Sequence, residues 1–138
     1  GNIKKIQRRE FFRINIIKNL IIKEPIDEEF KNSLKMIDLR DKIKFKTVTY
    51  SLKDISGGGL GFYSGDKLKL GTILIANLTL GLKNVEVLGE IVRVVDIGDS
   101  ETKYLIGVRY LHLTPQKRSI IINFIFEKQR QLRQKGLI

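Results

Sequence analysis

Residues 43–61 read Ile-Lys-Phe-Lys-Thr-Val-Thr-Tyr-Ser-Leu-Lys-Asp-Ile-Ser-Gly-Gly-Gly-Leu-Gly. Ile43, Phe45, Thr47, Thr49 and Ser51 alternate with Lys44, Lys46, Val48 and Tyr50, and a period of two sends successive side chains to opposite faces of a strand. Four glycines then interrupt the run from Asp54 to Gly61. Within it, Asp54, Ser56 and Gly59 form an Asp-x-Ser-x-x-Gly turn. Its carboxylate and hydroxyl can cap backbone amides, and its glycines permit positive φ and close approach of a ligand. The carboxylate could also accept hydrogen bonds from the N1 and N2 donors of a guanine. On this segment alone, a tight turn between strands is the plainer reading. No Gly-Lys-Ser/Thr follows, so it is not a P-loop, and Phe62 stands where Gly-x-Gly-x-x-Gly needs its third glycine.

Outward from this stretch, β character continues. Strands are expected at 72–80, 84–96 and 103–111, separated by turn signals at Gly65-Asp66, Gly81 and Gly98-Asp99. Upstream, Phe11 to Ile17 alternates as a strand, and Asn19 to Lys23 is a second strand or its bent extension. Residues 24–34 read as a polar insert that extends, charged, to about Lys42. Antiparallel strands at this spacing, with no helical pattern between them, point to a small barrel or sandwich and away from a parallel α/β sheet.

The chain closes on a helix. Thr114 can cap it, Pro115 suits its first position and Gly136 sits just past its last turn. From Ile120 to Phe126 only Asn123 is polar, so this half is expected to be buried on more than one side, covering the barrel. The half from Glu127 to Lys135 is expected to project.

Composition sets the outer bounds. A chain of 138 residues with 42% apolar content suits one domain and excludes a disordered basic tail, and no apolar run is long enough to span a bilayer. With no cysteine and a single histidine, His112, there is no disulfide framework, thiolate zinc site or histidine metal cluster. This fits a reducing, cytoplasmic setting. Gly1 in place of an initiator methionine suggests a segment of something longer.

The 26 Lys and Arg against 15 Asp and Glu give a net charge of +11 that is unevenly placed. Residues 1–23 hold seven basic groups against Glu10, and residues 115–138 hold six against Glu127. Between them, basic and acidic groups cancel. An anionic partner is therefore expected at the ends; simple solubility is the alternative, and it competes more closely at the C-terminal end than at the N-terminal one.

The densest chemistry is Gln7-Arg8-Arg9-Glu10-Phe11-Phe12-Arg13. Its three guanidinium forks can hold phosphate bidentately, stack on a base, or reach guanine O6 and N7. Solvated surface charge is again the plainer account of this segment alone.

An Arg-Arg-x-x-x-Arg cluster opening the first strand, an Asp-x-Ser-x-x-Gly turn some forty residues later, a β-rich body and a terminal helix together resemble the PilZ domain, the bacterial receptor module for cyclic di-GMP. Arg8, Arg9 and Arg13 match the first motif and Asp54, Ser56 and Gly59 the second. Gly107 to Tyr110 and Ile121 to Arg130 look like the flagellar-brake branch. The resemblance runs from about Ile6 to Lys135.

The resemblance implies an all-β, six-stranded antiparallel barrel of Greek-key type with a long C-terminal α-helix. Its parts would be a flexible ligand-binding arm over 1–13, a barrel over 14–113 with the insert near 24–42, and the helix over 114–136. It implies that Arg9 and Arg13 contact phosphates and guanine faces, that Asp54 and Ser56 read a guanine edge, and that Gly58 and Gly59 leave room for the base. Arg8 precedes Arg-x-x-x-Arg, and an arginine there looks like the type that holds an intercalated pair of ligands; Gln7 would add a hydrogen bond. No cofactor beyond the ligand, no membrane span and no enzymatic activity are implied. The implied partners are a flagellar motor component or other effector protein, and a separate N-terminal β domain upstream.

Two other classes compete. A basic β-barrel could bind single-stranded nucleic acid, but there is no tryptophan, and Phe11, Phe12, Phe45, Phe62, Phe124 and Phe126 fall mostly on core positions. An enzyme would have to use His112, Glu86 or Glu90, and these form no combination of nucleophile, base and orienting group.

Overall fold

A computed structural model describes residues 13–26, 44–98, 101 and 103–136. Six strands precede one helix: β1 (Arg13–Pro25), β2 (Phe45–Ser56), β3 (Gly59–Ser64), β4 (Ile73–Leu80), β5 (Lys83–Asp96), β6 (Tyr104–Leu111) and α1 (Pro115–Gln134). All neighbours are antiparallel and the sheet closes in the order β1-β2-β3-β6-β5-β4. The β4-β5-β6 meander returns to lay β6 beside β3, so the link from β3 to β4 crosses one end of the barrel. This is the expected Greek-key closure, and it leaves no open sheet edge.

Each long strand bends where it gains a residue. Between Asn15 and Lys18 β1 carries one more residue than β2 opposite it. Lys53 is the extra residue of β2 against β3, and Val92 that of β5 against β6. Such bulges kink a strand and increase its twist, which lets a short sheet curl shut. The Asn19–Lys23 segment is thus the bent extension of the first strand rather than a new one.

The barrel is filled from inward positions that alternate along every strand. Leu20 and Ile22 of β1, Leu52 and Ile55 of β2, Leu60 and Phe62 of β3, and Ile106 and Val108 of β6 are almost fully buried. In β2 the inward set is Val48, Tyr50 and Leu52, while Thr47, Thr49 and Ser51 face solvent. One end is closed by α1, whose Ile121 and Ile125 join the same core, one helical turn apart. Thr114 Oγ1 accepts from the Lys117 amide at 3.2 Å, Pro115 opens the helix and Gly136 follows it at φ +73°.

Three expectations need correction. The helix is buried along one stripe only, and Phe126 is 51% exposed. Asp54 to Gly61 is not a simple interruption: β2 runs on through Ser56 and Gly59 starts β3, a strand the residue pattern did not announce. Glu24 and Pro25 belong to β1 rather than to a polar insert. Glu24 is buried, accepts from the Tyr50 hydroxyl at 2.6 Å and lies 3.7 Å from Lys46 Nζ. The expected arm, Arg13 excepted, and the insert beyond Ile26 lie outside the described residues.

Two tyrosines resist ionisation. Burial, reinforced by the Glu24 carboxylate, pushes the Tyr50 hydroxyl well above its ordinary value. Burial pushes Tyr110 up as well, and its hydroxyl has no hydrogen-bond partner among the described residues. Both groups favour the neutral form in the fold. Their contribution to stability is therefore complete below the unfolded value of 10.0 and is lost as pH rises above it. Tyr110→Phe removes an orphaned polar group and should stabilise the chain by about 1 kcal/mol or leave it unchanged at pH 7. It should also flatten the loss of stability above pH 10. Denaturant midpoints at the two pH values check this, and destabilisation at pH 7 would count against it.

Candidate ligand-binding site

The β2–β3 turn is held from within and from outside. Ser56 Oγ accepts from the amides of Gly58 and Gly59, each at 3.2 Å, and donates to the Gly59 carbonyl at 3.2 Å. The Gly58 carbonyl accepts from the Tyr110 amide at 3.1 Å. The Gly57 carbonyl accepts from the Arg118 guanidinium, which reaches down from the first turn of α1. Three successive carbonyls are satisfied, so the turn is fixed before any ligand arrives.

None of the glycines from Gly57 to Gly61 uses a positive φ, contrary to the sequence reading. What Gly59 supplies is proximity. A Cβ there would lie 2.0 Å from the Val108 carbonyl oxygen, so only a bare α-carbon lets β6 pair this closely. Gly61 serves a different need. Its missing side chain makes room for the Asp54 carboxylate, whose Oδ1 would stand 2.8 Å from a Cβ at that position. Asp54 is buried, yet it points to the outer face, because its partner Gly61 lies between the inward Leu60 and Phe62. Lys53 Nζ approaches Asp54 Oδ2 at 3.4 Å.

Strand register brings the two motifs side by side. The Cα of Arg13 pairs with that of Ser56, and Asn15 pairs with Asp54. The residues before Arg13 therefore enter the barrel directly beside the turn. Gln7, Arg8 and Arg9 lie outside the described residues. Asp54, Ser56, Gly58 and Gly59 are contiguous with Arg13 across β1 and β2. Arg118 was missed. The Thr114-Pro115 punctuation places it in the first turn of a helix, but nothing local tells which loop it reaches.

The competing catalytic candidates sit elsewhere. His112, exposed with φ +50°, follows β6. Glu90 forms an ion pair with Arg109 across the sheet, and the Glu86 carbonyl accepts from Lys117 Nζ at 2.6 Å. Among the described residues there is no metal-binding cluster, and no helix is long and apolar enough to cross a membrane.

Comparison with known proteins gives a consistent picture. No curated protein matches the chain. Among solved structures, YcgR of Escherichia coli in complex with c-di-GMP superposes with a TM-score of 0.67 at 19% identity, over 95% of this chain and 50% of that one. The inhibitor of motility MotI/DgrA of Bacillus subtilis gives 0.70 at 18%, over 93% and 54%. The MrkH–c-di-GMP complex of K. pneumonia gives 0.65 at 13%, over 94% and 56%. The chain thus spans about half the length of these proteins. Its own sequence matches the PilZ domain family over residues 7–127, and with that span the chain belongs to the PilZ domain family.

Proposed function

We propose that this domain is a non-enzymatic receptor for cyclic di-GMP, in which Gln7, Arg8, Arg9 and Arg13 meet Asp54, Ser56, Gly58 and Gly59 around the ligand. The observation that supports it most is the register that sets Arg13 opposite Ser56. The guanidiniums take phosphate oxygens and base faces, and the Asp54 carboxylate takes the donors of a guanine edge. An intercalated pair of ligands carries four negative charges, which the three arginines with Lys4 and Lys5 nearly balance.

Ordering the arginine segment costs about 1 to 2 kcal/mol per residue. Charge-assisted hydrogen bonds, at about 1.5 to 3 kcal/mol each, must exceed that cost. The ordered segment is the signal, handed to whatever precedes it in the chain. The output we propose is control of flagellar motility in the cytoplasm, through an upstream β domain and a flagellar motor component or another effector protein that meets the basic end of α1.

Calorimetric titration with cyclic di-GMP tests the reading. Saturable heat with two ligands per chain is expected, and no heat at tens of micromolar ligand would refute it. Arg8→Ala should lower the stoichiometry from two toward one while binding persists; an unchanged stoichiometry with intact affinity removes Arg8 from that role. Salt-sensitive binding of single-stranded oligonucleotides, without preference for the cyclic ligand, would favour a nucleic-acid-binding barrel instead.

A further inference from the structure

The barrel mouth that α1 closes has an outward face of its own. Two bonds to the rim set the first turn of the helix: Lys117 Nζ to the Glu86 carbonyl of β5, and Arg118 to the Gly57 carbonyl of the β2–β3 turn. Ile121 and Ile125 point into the core, so the opposite side of the helix looks away from the barrel along its axis. Ser119, Asn123, Phe126, Arg130 and Arg133 follow one another there at steps of three and four residues, and all are exposed. A hollow of about 590 Å³ opens on this stripe, lined by Asn123, Phe126, Gln129, Arg130 and Arg133 and by Glu127, which pairs with Arg130. The same mouth carries the β4–β5 turn. Gly81 takes φ +66° there, and the side chains of Thr79 and Asn84 bond across the base of the turn at 3.0 Å. At the tip, beside exposed Lys83, stands Leu82, the most exposed large apolar side chain among the described residues.

The charge of this end is one-sided. From Lys117 to Lys135 the helix carries Lys117, Arg118, Lys128, Arg130, Arg133 and Lys135 against Glu127 alone. Such a face attracts a nucleic acid, an acidic protein or an anionic bilayer, and the exposed leucine decides among them. A phosphate backbone offers a leucine tip nothing, and a protein interface needs a continuous apolar centre. A bilayer interface suits separate apolar tips among cations, because they enter the acyl boundary while Lys and Arg stay at the phosphates. We propose that this mouth of the barrel is a docking face for anionic membrane lipid. Leu82 and Phe126 are its apolar anchors, and Lys83, Arg130 and Arg133 meet the headgroups. Lys128 and Lys135 lie on the other side of the projecting half of α1 and remain for a protein partner. This face is independent of the cyclic di-GMP reading and adds a second, lipid ligand to the domain.

Co-sedimentation without cyclic di-GMP tests it, using vesicles of two parts phosphatidylcholine to one part phosphatidylglycerol and, as control, pure phosphatidylcholine. The parent chain should bind the anionic vesicles, less tightly as salt rises, and ignore the neutral ones. The basic residues of 1–23 also favour anionic vesicles, so variants of this face decide. Leu82→Ser leaves the charge untouched and should weaken binding roughly tenfold. Arg133→Glu should weaken it by at least about fivefold, the worth of one basic residue at a charged surface. Both positions are exposed, so thermal midpoints should stay put. The chain has no tryptophan, so Leu82→Trp supplies a single reporter whose emission should shift to the blue on anionic vesicles. An emission that keeps its aqueous wavelength, or Leu82→Ser and Arg133→Glu chains that bind like the parent, overturns the proposal. Tighter binding of polyglutamate or of a single-stranded oligonucleotide than of the vesicles makes this a face for acidic polymers and overturns it as well.

Discussion

Arg13→Ala should bind cyclic di-GMP about 2 to 4 kcal/mol more weakly than the parent chain, a factor of roughly 30 to 1000 in Kd. The size follows from what a guanidinium offers a phosphate: two parallel charge-assisted bonds in one plane, which alanine replaces with nothing. Position makes Arg13 the cleanest arginine to test. It opens β1 opposite Ser56, so its backbone is anchored by the ladder whether or not ligand is present. Loss of affinity would then reflect lost contacts rather than a changed cost of ordering the chain. Calorimetry with the thermal midpoint as a control decides it; an Arg13→Ala chain that binds within threefold of the parent would remove Arg13 from the site.

The second large effect is on the fold. Gly59→Ala should destabilise the domain by about 3 kcal/mol and lower its thermal midpoint by roughly 10 °C. A Cβ at this position meets the Val108 carbonyl oxygen at 2.0 Å, the Val108 carbonyl carbon at 3.1 Å and the Arg109 Cα at 3.3 Å. All three are backbone atoms, so no rotamer change relieves the overlap. β3 and β6 would have to part where Leu60 and Val108 pair in the core. The Ser56 hydroxyl bonds both the amide and the carbonyl of Gly59, so ligand affinity should fall together with stability. A Gly59→Ala chain with parental stability would show that the strands can give way at no cost.

How much of this could be read in the residues depended on the range of the forces that set it. The ends of α1 follow from chemistry within four residues, a threonine that caps, a proline and a glycine, and Pro115–Gln134 lies where they put it. β4, β5 and β6 carry clear turn signals at their ends and differ by no more than a residue from the alternation.

β3 was invisible because its outward positions, Gly59 and Gly61, have no side chains to alternate with Leu60 and Phe62. The apolar run Ile120 to Phe126 looked buried on more than one side because composition cannot tell a helix that plugs a barrel from one enclosed within it. Arg118 counted as one more charge in a basic tail, until pairing across the barrel set the first turn of α1 above Gly57. The residues of the turn were readable because their spacing is local.

The bond from Arg118 to the Gly57 carbonyl ties the β2–β3 turn to the helix, and a bond shared by two elements makes their equilibria interdependent. Whatever displaces the start of α1 must release that carbonyl and loosen the turn. By reciprocity, a ligand that requires the turn in its held form resists that displacement by the same free energy. With cyclic di-GMP bound at this turn as proposed, the C-terminal helix is a second handle on that equilibrium, one that a partner could pull without touching the ligand.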